Sequence, residues 1–590
     1  MQLSGHDYVL DNHIACGGLE RLSGSISALR NEGVETILCD NGDFLEGSPL
    51  ADLAMDLDDM RDHPMVQVMN ALNYDAIGLG NHEFDYGTVK LRNVLEALDA
   101  PVICANVRVS QREHFTSPWT IVTRQLPCSD GQTREIKVGL IGFVTPLQVH
   151  WGPTQSEEPL TTDDILAAAM THLPALRRAG ADIAVALAHT GIGPIKHSYG
   201  MENAAYPLAS LRGIDVVLLG HTHDHFPSEK FDRHEGIDCK EGLISGTPAV
   251  MAGQLGEALG QIDLELQFDG EEWQIVGQTV RIVSAEKSNR SPDPKIRKVL
   301  EKAVAPLHET TQRKLSEPRG RTEVALSSYF SSFGYDPTLK LIGKAKLEAI
   351  REGLKRTQYE GLPILASAAS FRAGGRQGAN NFIEIPPGVV TAKHLAAISP
   401  FDNPVCAVLR RGWQLREWLE EVSQVFLEIP PRPGVYSILN EAFPIYHFDT
   451  IFGLEYAFDL TAPVSSGERS AKPEQKPRVA KMRYAGAEVL DDDIFVVAVS
   501  RFRAKGGGRM GNVPAEDIVY ETKETARALI AQELSKGFRC DNSPNWSFVN
   551  ISGVSLLLDT NPGALAHIPD KRIEPTSVFH NEFQQFKLTF

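Results

Sequence analysis

Nowhere in its 590 residues does the chain hold an apolar run long enough to cross a bilayer, so no membrane-spanning helix and no membrane partner are expected. The first ten residues, which include Gln2, Ser4, Gly5, His6 and Asp7, lack the apolar core of a signal peptide, and none is read there. Cysteine is scarce. The seven cysteines (Cys16, Cys39, Cys104, Cys128, Cys239, Cys406 and Cys540) are odd in number, scattered and never spaced as Cys-x-x-Cys, which excludes a disulfide framework and a thiolate zinc site. They read as small buried hydrophobes. Positive charge is in deficit as well, with 58 Lys and Arg against 76 Asp and Glu and a formal net charge of −18. That balance excludes a broad electrostatic grip on a nucleic-acid polymer, which needs a basic surface. A small anionic ligand is compatible with it, provided metal ions or a few arginines supply positive charge locally.

What is present is a globular composition, 42% hydrophobic and 23% charged, on a chain too long for one core. Two or three domains are expected. The first half alternates short apolar strands with amphipathic helices, the pattern of a layered α/β domain. Strands are predicted at Val34–Cys39, Asp75–Leu79, Pro101–Cys104, Lys137–Phe143, Asp182–Leu187 and Asp215–Leu219. Helices are predicted at Gly18–Arg30, Pro64–Leu72, Val89–Leu98 and Asp164–Arg178. Gly246–Val283 turns to β-type alternation, and Ser284–Pro294 is polar and proline-bearing like an inter-domain link. The expected division is residues 1–288, a linker with a helix (Lys295–Leu315) over 289–318, and a second α/β domain over 319–590. In that domain Thr338–Leu354 reads as helix, Ile494–Ser500 as strand and Ser465–Lys476 as an exposed loop. No internal repeat is apparent.

Four polar clusters follow predicted strands: Asn41-Gly42-Asp43, Gly80-Asn81-His82-Glu83-Phe84-Asp85, Ala188-His189-Thr190-Gly191 and Gly220-His221-Thr222-His223. In α/β sheets that is where ligands bind. Carboxylate, amide and imidazole are the donors that hold a pair of divalent ions of the Zn or Mn type, and one Asp can bridge the two. Each cluster alone has a plainer reading. Asp43 is a turn residue, and His189 is a hydrogen-bonded histidine at a strand end. Gly-Asn-His-Glu is more specific, since a given tetrapeptide arises by chance on the order of once in several hundred chains of this length. All four clusters in one order, each at a strand end, make coincidence a poor explanation.

On these motifs the sequence resembles the calcineurin-like metallophosphoesterases, and within them the 5′-nucleotidase and 2′,3′-cyclic-nucleotide 2′-phosphodiesterase/3′-nucleotidase family, over nearly the whole chain. The resemblance implies an N-terminal layered metallophosphoesterase sandwich followed by a C-terminal α/β substrate domain. It implies two divalent ions: Asp43 bridges them, Asn81, His189 and His221 complete one site, and His223 serves the other. His82 and Asp85 form the catalytic dyad. In that chemistry a metal-bound hydroxide attacks phosphorus in line while His82 stabilises charge or protonates the leaving alkoxide.

In the second domain, Ser370-Phe371-Arg372-Ala373-Gly374-Gly375-Arg376, Ser399-Pro400-Phe401-Asp402-Asn403 and Arg501-Phe502-Arg503-Ala504-Lys505-Gly506-Gly507-Gly508 read singly as turns, solvated arginines and core rings. Together they resemble the family's nucleoside-binding loops. The resemblance implies that Phe401 and Phe502 stack on a base and that Arg372 and Arg376 hold the phosphate or ribose side. Gly508 stands where 5′-nucleotidases carry an Asp for the ribose hydroxyls. Such a carboxylate would repel a 2′,3′-cyclic or 3′-phosphate, so the cyclic-phosphodiesterase branch is expected. Segments around Phe443–Asp449 and Trp413–Glu420 point the same way.

The pattern is departed from at the start. Family members open with a strand ending in Asp-x-His, which supplies two ligands to the first metal; here Met1-Gln2-Leu3 reads as the text that follows it, so that site is expected to fall short. His6, Asp7, Asp11 and His13 are the local alternatives and read as loop residues. The family is usually periplasmic. The expected activity is hydrolysis of 2′,3′-cyclic nucleotides and 3′-nucleotides, with the small nucleotide as partner. The rivals are a 5′-nucleotidase or nucleotide-sugar hydrolase, and a nucleotide-binding protein without catalysis.

Overall fold

A computed structural model describes residues 6–8, 12–13, 18–110, 113–146, 160–286, 290–375, 378–441, 443–463, 476–511 and 513–590. They form two compact units, Met1–Arg313 and Lys314–Phe590. The boundary falls inside the helix Pro294–Leu315.

In the first unit a three-stranded parallel sheet, in the order Cys39–Asp40, Ala76–Gly78, Val102–Ile103, lies against a larger mixed sheet. The centre of the larger sheet is parallel: Thr133–Val144, Ile183–His189, Val216–Leu219 and Thr247–Ala252 run side by side. Ala76, Ile103, Leu140 and Leu187, all fully buried, fill the space between the sheets. The other face of the larger sheet is covered by the helices Ile165–Arg178 and Ala205–Ala209, through Leu173, Leu176 and Leu208. Asp164 caps the first of these, accepting from Ala167 N–H at 3.0 Å. The layered α/β sandwich expected from the alternation is therefore present.

Two sequence expectations differ in detail. The strand predicted over Val34–Cys39 is reduced to Cys39–Asp40, with Val34 67% exposed, because this strand is the edge of its sheet and pairs on one side only. The segment with His6 and His13 is a two-residue antiparallel ladder and not a loop, His6 facing His13 and Asp7 facing Asn12. The His6 ring packs on Tyr8 and His308. Asp11 lies outside the described residues, as do residues 465–475 of the predicted exposed loop.

The second unit is built on a five-stranded sheet ordered Thr450–Phe452, Ile364–Ala368, Ile494–Ser500, Pro404–Arg411, Ile518–Thr525. The helix Pro337–Gly353 is capped by Asp336, which accepts from Leu339 N–H at 3.0 Å, and buries Leu339, Leu341, Ile342 and Ile350. Phe426, Phe448, Phe458, Trp546 and Phe548 form a ring-on-ring core, with Trp418 buried in the same cluster.

Candidate active site

Each cluster read from the sequence sits where a strand of the first unit ends. Asp43 follows the strand Cys39–Asp40, Asn81 and His82 follow Ala76–Gly78, His189 closes Ile183–His189, and His221 and His223 follow Val216–Leu219. The turns are forced. Asp43 (φ 60°), His221 (φ 70°) and His223 (φ 58°) all adopt the left-handed region, which non-glycine residues rarely occupy and which concentrates at functional sites. Gly42 and Gly80 make this approach sterically feasible: a Cβ on Gly42 would stand 2.1 Å from Gly80 N, and one on Gly80 would stand 2.2 Å from Asp43 Oδ1.

The loops that carry Asp43 and Gly80 are tied together by Glu83, which is fully buried. Its Oε2 accepts from Asp43 N and Gly80 N at 2.7 Å each, and its Oε1 from Phe44 N at 2.7 Å and Leu45 N at 3.2 Å. His82 N–H adds a bond to Asp43 Oδ1 at 2.9 Å.

Within this cradle the donor atoms converge in a way that asks for a cation. His189 Nδ1 donates to Asn41 O at 2.7 Å, so a neutral ring turns its Nε2 lone pair toward Asp43 Oδ2, 2.9 Å away. His221 Nε2 meets the Glu202 carboxylate at 2.9 Å, which leaves Nδ1 facing Asn81 Oδ1 at 3.1 Å. Two pairs of acceptor atoms thus face each other, with the opposite imidazole nitrogens anchored by a carbonyl and a carboxylate, the arrangement that orients metal-bound histidines. Asp43, Asn81, His189 and His221 fit a divalent ion. His223, exposed beside them, is the remaining imidazole of the set.

His82 and Asp85 share a 3₁₀ turn, His82–Tyr86, whose three residues per turn put them on one side. His82 Nδ1 lies 2.6 Å from Asp85 Oδ2. Burial would lower this imidazole, yet the carboxylates of Asp85, Asp43 and Glu46 raise it well above the ordinary histidine value. Glu46, Glu83 and Glu202 were not singled out from the sequence. Glu83 had a signal, as the last residue of the Gly-Asn-His-Glu tetrapeptide; Glu46 and Glu202 had none.

In the second unit the three candidate loops leave one end of the five-stranded sheet. Ile364–Ala368 runs parallel to Ile494–Ser500, and Val405 pairs with Ser500, so the segments after Ala368, before Pro404 and after Ser500 emerge together. Phe401 is half-buried, its ring 5.5 Å from Phe371 at 65°. Its loop is held by Arg527, whose Nε donates to Ser399 O at 2.8 Å and whose N–H donates to Asp402 Oδ1 at 2.9 Å. Phe502 is also half-buried, with the Arg503 guanidinium 5.0 Å from its ring centre. Arg503 is buried and paired with Asp449 at 3.0 Å. A Cβ on Gly508 (φ +78°) would stand 2.1 Å from Arg503 Nη1. Arg372 is half-buried on the loop after Ala368, and Arg376 lies outside the described residues.

Residues 11–225 match the calcineurin-like phosphoesterase family, and residues 320–516 match the 5′-nucleotidase C-terminal domain. The trifunctional nucleotide phosphoesterase protein YfkN of Bacillus subtilis is 33% identical over 94% of this chain, which spans 38% of that protein. The 2′,3′-cyclic-nucleotide 2′-phosphodiesterase/3′-nucleotidase of Haemophilus influenzae is 30% identical over 96% of this chain and 88% of its own length. A putative 5′-nucleotidase from Staphylococcus aureus, solved in complex with alpha-ketoglutarate, shares the fold with a TM-score of 0.67, at 21% identity over 91% of this chain and 95% of that one. The chain belongs to the calcineurin-like phosphoesterases that carry a 5′-nucleotidase C-terminal domain, a family of hydrolases that work with divalent metal ions.

Proposed function

We propose that this chain hydrolyses 2′,3′-cyclic nucleotides and 3′-nucleotides, using divalent ions of the Zn or Mn type, with one position well supplied with ligands and a second that falls short. The observation that carries the reading is the meeting of acceptor atoms at Asp43, Asn81, His189 and His221 directly beside the His82–Asp85 pair. When bound, divalent ions supply the charge that acidifies water and neutralises phosphoryl oxygens. Asp43 would bridge the two positions, Asn81, His189 and His221 would hold one ion, and His223 would contribute to the other. His82, with Nδ1 engaged by Asp85, keeps Nε2 to hold a proton for the departing oxygen. In the second unit Phe401 and Phe502 would take the base, and Arg372 and Arg376 the phosphate or ribose side.

The preference for the 3′ side is supported by the name of the Haemophilus relative and by position 508. The space into which a side chain there would project is held by the Arg503 guanidinium, itself paired with Asp449, so no unpaired carboxylate stands there to repel a phosphate on O2′ and O3′. The test is phosphate release from a 3′-nucleotide, a 2′,3′-cyclic nucleotide and a 5′-nucleotide, with metal content measured on the same samples. Faster turnover of the 5′-nucleotide overturns the 3′ assignment. His82→Ala should lose about 10²–10⁴ in turnover with its metal intact, whereas Asp43→Ala should lose metal. Equal metal loss in both removes His82 from the role given to it.

A further inference from the structure

Beside the dyad stands a side chain that the reading above leaves unused. Glu46 lies three residues beyond Asp43, on the loop that enters the helix Pro49–Ala54. Its Oε2 is 2.6 Å from His82 Nδ1, the same nitrogen that Asp85 Oδ2 meets at 2.6 Å. Glu46, His82 and Asp85 are each largely enclosed, with side chains 16%, 27% and 25% exposed.

We propose that Glu46 is a second positioning residue for His82, acting with Asp85 to fix the imidazole from two different loops. The contact with Asp85 is local, made within one 3₁₀ turn, so by itself it orients the ring only relative to that turn. The second torsion of a histidine side chain is broad, and one hydrogen bond leaves it room to swing. Glu46 comes from the Asp43 loop. It therefore ties the ring to the element that carries the bridging carboxylate, as Glu83 ties the two backbones together. Asp85 takes the Nδ1 hydrogen bond and Glu46 Oε2 stands at ion-pair distance from the same nitrogen, which leaves Nε2 as the nitrogen whose proton can pass to the departing oxygen. A ring that swings loses that alignment, and losing it hurts a leaving group in proportion to its need for the proton.

This inference rests on the role of His82 proposed above, and the experiment separates the two. Glu46→Gln and Glu46→Asp are compared with the unaltered protein on a 3′-nucleotide, whose leaving alkoxide needs protonation, and on p-nitrophenyl phosphate, whose phenolate departs without it. Metal content and thermal unfolding are read alongside. The expected result for E46Q is a loss of about 10–100-fold in kcat on the nucleotide with KM and metal content unchanged, the size typical of a supporting residue. The loss on the aryl phosphate should stay under about 3-fold, and E46Q introduced into H82A should change turnover by less than about 2-fold. E46D, which keeps the charge at shorter reach, should fall between, and carries the comparison if E46Q does not fold. Equal losses on both substrates, an ion lost with Glu46, or a full effect in the H82A background each overturn the proposal. Undiminished nucleotide turnover in H82A alone would instead sink the role of His82.

Discussion

Replacing Glu83 by glutamine alters one heavy atom and tests how the loops carrying Asp43 and Gly80 are held. In the folded chain one carboxylate accepts four backbone N–H groups, two on each oxygen, and it is fully buried. Glutamine keeps one oxygen. Its amide end must then face two N–H donors, so two of the four bonds are lost and buried donors are turned against one another. Hydrogen bonds to a charged acceptor contribute about 1.5–3 kcal/mol each, so the change should cost about 3–6 kcal/mol, less whatever the loops recover by moving. For a unit of this size that is a fall in Tm on the order of 10 °C. The displaced groups are Asp43 N and Gly80 N or Phe44 N and Leu45 N, so Asp43 moves with them and metal affinity should fall as well. Calorimetric unfolding with and without added divalent metal, together with metal titration, reads both effects. A melting temperature within about 2 °C of the unaltered protein, with full metal uptake, would refute the reasoning.

Loss of either ring at Phe401 or Phe502 by alanine substitution should weaken nucleotide substrates by about 1–3 kcal/mol, seen in kcat/KM, and spare p-nitrophenyl phosphate; unchanged nucleotide kinetics remove the base-stacking role. The buried Lys346, whose Nζ donates to Ser367 O at 2.7 Å, is lowered by burial from its ordinary 10.5 to about 8, against the opposing pull of Asp449. Between those values the unfolded chain holds a proton that the folded chain has shed, so stability should rise with pH across this window, and below it the buried charge costs about 3 kcal/mol. Melting curves on either side of about pH 9 should therefore differ more in the unaltered protein than in Lys346→Met; the same pH response in both counts against a strained lysine.

What was legible in the sequence and what was not divides along a physical line. Pro64–Leu72 and Ile494–Ser500 fold over the residues their patterns predict, because both are enclosed and their apolar positions repeat at the period of the element. Val34–Cys39 has the same apolar text but lies at a sheet edge, and there Asp75 Oδ2 accepts from Leu38 N at 2.9 Å in place of a longer ladder. No periodicity reports that substitution. The clusters at Asp43, Asn81, His189 and His221 were legible because donors of one chemistry recur at strand ends, a local signal. Their anchors were not. Glu202 reaches His221 across 19 residues, Glu46 reaches His82 across 36, and the partner of each is decided by how loops fold over the sheets. Gly508 makes the same point from the other side. The sequence shows that an aspartate is absent there, and a missing carboxylate by itself leaves a neutral gap. Only the fold brings the Arg503 guanidinium into that space, with Asp449 and the Tyr446 carbonyl oxygen holding it. The discrimination expected at 508 then has two parts, a repulsion removed and a space filled by a guanidinium that Asp449 already pairs. Because that charge is compensated, the first is the stronger argument for a phosphate on the 2′ and 3′ oxygens.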